Sequence, residues 1–513
     1  MMFDITVLWK APRVNPFNKK ARSIPVLNPL NQYGRVFTFS WLGFMIAFWS
    51  WYAFSPLLTK TIKKDLNLSQ AEIANSNILA LTATLVVRFL SGPLCDRFGP
   101  RKVFAGLLLT GAIPTALAGT VKNATGLTII RFFVGILGGT FVPCQVWSTG
   151  FFDKNVVGTA NALIGGWGNA GGGITYFVMP AIFDSLVEHF DLTPHVAWRV
   201  SFIVPFILIT ATALGMLFFC DDCPTGKWEE RFEKLSECIS ESHNAGVIVY
   251  NDGGHLDKGP ATRSDSPPEK DVKDKNSGFN SDSEAEAQTG EAIVVDQYQH
   301  EAIVNPSLKE FGQVLISPQS ITLICLYFNS FGGELAINAI LGAYYLQNFP
   351  SLGQTSSGQW AAMFGLVNVV FRPAGGVVSD LVYKWTDGNL WAKKLWIHFV
   401  CIMAGTFCLI LGLVDPHHLP TMVGLIVGLA FFMDAGNGAN FGLVPHVHPH
   451  ANGILSGAVG AAGNLGGIVF AIIFRYTNMN YHKGIWIIGV FYISMSLMTI
   501  WIPPIPKGQI GGR

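Results

Sequence analysis

Twelve apolar stretches, most of them 17 to 25 residues long, run through the chain. That length, at a helical rise of about 1.5 Å per residue, matches a hydrocarbon core of roughly 30 Å. The stretches fall near residues 36 to 58, 72 to 94, 103 to 121, 126 to 149, 157 to 181 and 200 to 220, then 320 to 346, 358 to 382, 395 to 414, 419 to 441, 452 to 474 and 484 to 503. With 50% hydrophobic and only 13% charged residues among 513, the chain carries more apolar surface than one soluble core hides. Lipid offers no hydrogen bonds to a backbone, so each stretch reads as a helix and the fold class as an all-α membrane protein.

Between the two sets of six lies a polar segment containing SDSPPEKDVKDKNSGFNSDSEAEAQ, too charged and too poor in aromatics to build a core. The expected organisation is a tail over 1–35, a six-helix bundle over 36–220, a largely disordered linker over 221–318, a second bundle over 319–503 and a tail over 504–513. The first apolar run is long enough to span and follows about 35 mostly polar and basic residues, so it reads as a retained helix rather than a cleaved signal. Lys10, Arg13, Lys19, Lys20, Arg22 and Arg35 against one Asp place the first tail in the cytoplasm. Counting onward, Arg97, Arg101, Lys102, Lys384, Lys393 and Lys394 land on the same side, against Lys60, Lys63 and Lys64 outside. Both termini and the linker are then cytoplasmic. Within the linker, Ser266, Ser281 and Ser283 sit where kinases or other regulators find acidic or proline-flanked sites.

Sliding the chain by 284 residues lays RFLSGPLCD (88 to 96) over RPAGGVVSD (372 to 380), so that Arg88 meets Arg372, Gly92 meets Gly376 and Asp96 meets Asp380. Both segments are the second helix of their set, which points to two parallel six-helix repeats of the kind found in large secondary transporters. Eight residues put each arginine roughly 12 Å from its aspartate, near mid-membrane. An arginine there costs about 2.5 to 3.5 kcal/mol on insertion scales and cannot shed its proton. A wet central cavity in which both guanidinium groups meet an anion offsets that cost. The alternatives are snorkelling to the interface, or pairing with the intramembrane carboxylates Glu334 and Asp434. Arg131, nearer the outer surface, reads as structural.

A second match, at 295 residues, aligns GGWGNAGGG (165 to 173) with GAAGNLGGI (460 to 468). Gly168 with Gly172, and Gly463 with Gly467, have the small-xxx-small spacing that brings membrane helices into backbone contact. Asn169 and Asn464 are not explained by packing, because an amide is costly in lipid unless it serves a neighbouring helix or a ligand. Aromatics crowd the first helix (Phe48, Trp49, Trp51, Tyr52, Phe54) and the seventh (Tyr327, Phe328, Phe331), and some are placed to sandwich a thin planar anion. The histidines of HVHPH (446 to 450), with His417 and His418, read as surface loop residues. The eight cysteines form no disulfide pattern, and the lone C-x-x-C at Cys220 and Cys223 predicts no metal site. No nucleophile is grouped with a base, so neither an enzyme nor a cofactor is expected. No basic aromatic stripe lies outside the membrane runs, so nucleic-acid binding is not expected either.

The loop GPLCDRFGPRK (92 to 102) resembles the G-x-x-x-D-R-x-G-x-R-K signature of the major facilitator superfamily. With the two Gly-rich segments around Asn, the chain resembles more narrowly the nitrate/nitrite porters, and its long central loop resembles their fungal high-affinity members. The resemblance covers all twelve helices. It implies that Arg88 and Arg372 bind the anion, that Asn169 and Asn464 line the pathway, and that Tyr327 contacts substrate. It also implies a latch made by Asp96, Arg97 and Arg101, and proton-coupled import of nitrate, with nitrite also accepted, at the plasma membrane by alternating access. Glu334, a rare intramembrane carboxylate on the helix of Tyr327, is the expected proton carrier, with a structural role as the alternative. Nitrate/nitrite exchange, a phosphate-type anion carrier and a nitrate sensor are the competing readings.

Overall fold

The computed structural model describes residues 5–16, 18–58, 61–244, 307–477 and 480–506. These are helical, with isolated β-bridges but no strand among them. Helix α1 (Gln32–Tyr52) starts where the Asn31 side chain accepts from Tyr33 N, and after a break continues as Phe54–Leu58. A reciprocal pair, Ser69 with Glu72, caps α2 (Gln70–Phe98). It stops at Gly99, whose φ of 89° suits a residue without Cβ, and Pro100 opens α3 (Pro100–Ala116). Helix α4 (Ala124–Phe151) is interrupted by a 3-10 stretch, Gly135–Thr140. Then come α5 (Val157–Glu188) and α6 (Ile203–Phe219).

In the second set, Ser317 caps α7 (Pro318–Asn348), and α8 (Asn368–Trp385) follows a shorter helix, Gly353–Leu366. The chain closes with α9 (Leu390–Val414), α10 (Leu419–Val447), α11 (Asn452–Tyr476) and α12 (Tyr481–Thr499). Eleven helical segments of the described residues are long and apolar enough to cross a membrane. The remaining one, α12, has 19 residues and lies along α9, their backbones touching where Gly489 faces Gly405.

The internal repeat is visible as paired crossings. A Cβ on Gly171 of α5 would stand 2.1 Å from the Met45 carbonyl oxygen of α1, and one on Gly466 of α11 would stand 2.1 Å from that of Phe328 on α7. These are the close approaches that the Gly-rich segments foretell. Between the sets, α2 crosses α11 with Gly92 against the Gly453 carbonyl, and α8 crosses α5 with Gly376 against the Gly158 carbonyl.

The polar linker enters and leaves as helix: Trp228–Glu230, Arg231–Asn244 and Leu308–Ile316 are helical, while Ser266, Ser281 and Ser283 lie outside the described residues. The Trp228 ring is buried against Gly99 and carries the Arg231 guanidinium 4.5 Å from its centre, so this apolar anchor lets the linker begin on the α2–α3 turn. Arg101 donates to Asp222 at 2.7 Å and to the Cys220 carbonyl, on the same anchor.

Several expectations for polar residues need correction. His446 is buried inside α10 and His448 is buried just beyond it, not on surface loops, because Lys393 and Ser317 offer them partners at 3.2 and 2.9 Å. His417 and His418 are exposed. Lys393 and Lys394, counted above by side of the membrane alone, are buried on α9: Lys393 meets Asp380 at 2.9 Å, and Lys394 donates to the Thr499 and Ile500 carbonyls at the end of α12. All eight cysteines are free, and no group of metal-ligating side chains occurs among the described residues.

Candidate anion site between the two halves

Arg88 leaves α2 with no exposed surface, and its Nε donates to the Gly138 carbonyl at 2.8 Å. That carbonyl belongs to the 3-10 interruption of α4, where departure from α-helical bonding leaves oxygens to be shared. Its Nη1 donates to the Gly460 carbonyl of α11 at 3.2 Å. Asn464 Nδ2 donates to that same oxygen at 3.1 Å, so Asn464 steadies the carbonyl that positions Arg88 and spends a donor within its own helix.

Arg372 reaches the centre from α8 and is 1% exposed. Its Nη2 donates to the Tyr327 hydroxyl at 3.0 Å, while Nε and Nη1 are buried without a hydrogen-bond partner. Gly165 makes room for it: a Cβ there would sit 2.7 Å from Nε. One turn along α5, Asn169 is half-buried and its Nδ2 also lacks a partner. Unspent donors therefore cluster along the α5–α8 contact, and buried donors left unpaired cost about 1 to 3 kcal/mol each.

Both guanidinium groups lie over the same two rings. Arg88 Cζ is 4.8 Å from the Phe141 centre and 5.1 Å from that of Phe331; Arg372 Cζ is 5.4 and 5.9 Å from them. Phe141 of α4 and Phe331 of α7 are nearly parallel, 8° apart with centres 6.4 Å distant, and Tyr327 lies parallel to Phe331 at 5.4 Å. Cation–π attraction of about 2 kcal/mol in a dry setting offsets part of the cost of two buried charges. Phe441 closes one end edge-on, 4.8 Å from Phe141.

Neither arginine forms an ion pair with a carboxylate among the described residues. The Glu334 oxygens are taken instead by Asn368 Nδ2 and Asn437 Nδ2, each at 2.6 Å, and Asp434 accepts from Asn368 at 3.2 Å. Arg131 is buried inside the first set, donating to Ser76 at 2.7 Å. Of the signature residues, Asp96 is buried and accepts from Gly453 N and Ile454 N at 2.8 and 2.9 Å, on the first turn of α11. Asp380 does the same for α5, accepting from Thr159 N at 2.6 Å. Arg97 is exposed beside Phe98, and Arg101 binds within its own half.

Sequence reasoning did not single out Phe141, Asn368 or Asn437. A signal existed for the first, since GGTF (138 to 141) and GANF (438 to 441) repeat a Gly-x-x-Phe pattern in α4 and α10. For the two asparagines there was none, because their partner Glu334 stands on another helix.

Comparison with known proteins agrees with this architecture. Elsinochrome transporter 1 of Elsinoe fawcettii is 37% identical, the alignment covering 98% of this chain and 99% of that protein. High affinity nitrate transporter 2.5 of Arabidopsis thaliana is 30% identical, over 93% of this chain and 81% of its own. In three dimensions the chain is similar to the proton:xylose symporter XylE, with a TM-score of 0.60 at 14% identity over 91% of this chain and 95% of that one, a likeness of fold. The family description Major Facilitator Superfamily matches residues 40–471. A multi-pass membrane transporter rather than an enzyme, the chain belongs to the Major Facilitator Superfamily.

Proposed function

We propose that the protein imports nitrate across the plasma membrane by alternating access, with protons as co-substrate and nitrite as a second substrate. The observation that carries this reading is the pair of buried arginines, one from each half, lying over one pair of parallel rings with no carboxylate among the described residues ion-paired to either. A monovalent anion matches them better than a divalent one, because Glu334 stands near Arg372 and subtracts from the positive field. The nearly parallel faces of Phe141 and Phe331 favour a flat guest laid against them over a tetrahedral one. The unpaired donors of Arg372 and Asn169 are the groups that would hold its oxygens, and Tyr327 would orient Arg372. The similarity to named nitrate transporters supports the same choice.

Entry of an anion against a negative interior costs about 2.3 kcal/mol per charge per 100 mV, which cotransported protons reverse when they outnumber it. Glu334 is the proposed carrier. Asp96 and Asp380, each on a helix N-terminus of the opposite half, form the latch in this reading, with Arg101 bracing the α2–α3 turn and Arg97 free to engage in another state. The basic first tail supports cytoplasmic termini.

The higher identity to elsinochrome transporter 1 favours a second reading, in which the solute is elsinochrome. Uptake of labelled nitrate into cells or proteoliposomes, challenged with nitrite, phosphate and elsinochrome, separates them. Competition by nitrite and not by phosphate or elsinochrome is the expected result; absence of nitrate uptake with competent elsinochrome transport overturns it.

A further inference from the structure

Asn368 stands one helical turn before Arg372 on α8, and its Nδ2 is shared between two carboxylates: Glu334 Oε1 at 2.6 Å and Asp434 Oδ1 at 3.2 Å. Glu334 is the better served, since Asn437 Nδ2 donates to its other oxygen at 2.6 Å. Asp434 is fully buried, and its Oδ2 meets no donor. The amide oxygens of Asn368 and Asn437 are buried without a donor as well. Neither acid is ion-paired to a cation among the described residues.

We propose that Glu334 and Asp434 form one two-carboxyl proton site, bridged by Asn368 and coupled to the anion through Arg372. This rests on the proton-coupled reading above and adds a second acid and the residue that joins the pair.

The physics is that of two like charges in a dry interior. Each ionised carboxyl raises the cost of ionising the other, so the protons belong to the pair rather than to either residue. Asp434 Oδ2, buried without a donor, is an acceptor whose unmet demand a bound proton removes. Other titratable groups face the pair from neighbouring helices: Arg372 on α8, Arg88 on α2, Tyr52 on α1, Tyr327 on α7 itself and Tyr492 on α12, with Cys401 of α9 beside Gly436 and near Tyr492. Of these, the two arginines are the cations. A proton taken from the outer side neutralises a negative charge near Arg372 and strengthens its hold on the anion. Loss of that proton to the inner side reverses the effect, and no further reactant is needed.

Infrared titration of the carboxyl band in the purified full-length protein, without any anion, tests the pairing. Glu334→Gln and Asp434→Asn are each expected to move the midpoint of the remaining acid by about one pH unit or more, and the double variant is expected to lose the component of the band that the pair contributes in wild-type-minus-variant difference spectra. The pairing is overturned if each acid titrates at its wild-type midpoint when the other is neutralised. Should Asp434→Asn fail to fold, Asn368→Ser leaves both acids and removes the bridge, and an unchanged titration overturns the proposal equally. Calorimetry of nitrate binding in buffers of different ionisation heat then reads protons taken up per anion. A pair that titrates together while nitrate does not bind keeps this site and sinks the nitrate reading. Nitrate binding with wild-type proton uptake in Asp434→Asn removes Asp434.

Discussion

Asp96 and Asp380 occupy equivalent places 284 residues apart, each accepting from the first turn of a helix in the opposite half, Asp96 from two backbone N–H groups and Asp380 from the Thr159 N–H and hydroxyl. The positive end of a helix dipole attracts a carboxylate by about 0.3 to 2 kcal/mol, and the hydrogen bonds to charge add a similar amount. The face that carries the α2–α3 turn is therefore closed by two symmetric contacts. Asp96→Asn should loosen it: uptake falls several-fold, and Cys144, buried beside Phe141, reacts faster with a thiol reagent applied from that face. Unchanged labelling removes the latch role.

Tyr327→Phe keeps the ring and deletes the hydroxyl that accepts from Arg372 at 3.0 Å. A third donor of Arg372 is then unpaired, at a cost of about 1 to 3 kcal/mol. Half-saturation for nitrate should rise roughly 5-fold or more if that hydroxyl orients the guanidinium for the anion. An unaltered value shows that stacking alone is what Tyr327 contributes.

The twelve helices and their two-fold repeat were legible because each depends on composition, spacing and small residues. Arg88, Arg372 and the glycines are spaced along single helices, where one sequence suffices to show them. Phe141, Asn368 and Asn437 were less visible, since their meaning comes from α4, α8 and α10 each approaching α7 in space. The histidines of HVHPH misled for a related reason: a polar run near a helix end looks solvated until Lys393 is seen buried beneath it. Arg101 stood out by its place in GPLCDRFGPRK, whereas its bond to Asp222 required the chain after α6 to fold back on the turn.

Gly171→Ala should test the α1–α5 contact. The added methyl would stand 2.1 Å from the Met45 carbonyl oxygen, and a backbone atom cannot rotate away. Overpacking of this kind costs about 1 to 3 kcal/mol, so the thermal midpoint of the purified protein should fall by several degrees. Gly106→Ala, which meets nothing within 4 Å, is the control that should not change it.

On the opposite face, Asp65 gathers His195 at 2.7 Å, Trp198 at 3.0 Å and Arg199 at 2.9 Å. Burial pushes its carboxyl up, and these hydrogen bonds together outweigh that and leave it below the ordinary carboxylate value. A lowered folded-state value means the contribution is complete above about pH 4 and fades as pH falls through the folded value. Between pH 6 and pH 3 the wild-type melting temperature should drop more than that of Asp65→Asn. Equal drops contradict the assignment.

The central claim is that two buried guanidinium groups, one from each half, make the site for a small planar anion, with open donors on Arg372, and with Arg88 held in place by the Gly138 and Gly460 carbonyls. Equilibrium binding of nitrate to purified Arg88→Lys and Arg372→Lys proteins tests it most directly, because lysine keeps the charge and loses the fork. Losing charge-assisted hydrogen bonds of about 1.5 to 3 kcal/mol predicts that each variant binds roughly 10-fold to 100-fold more weakly. Wild-type affinity in both variants would contradict the account.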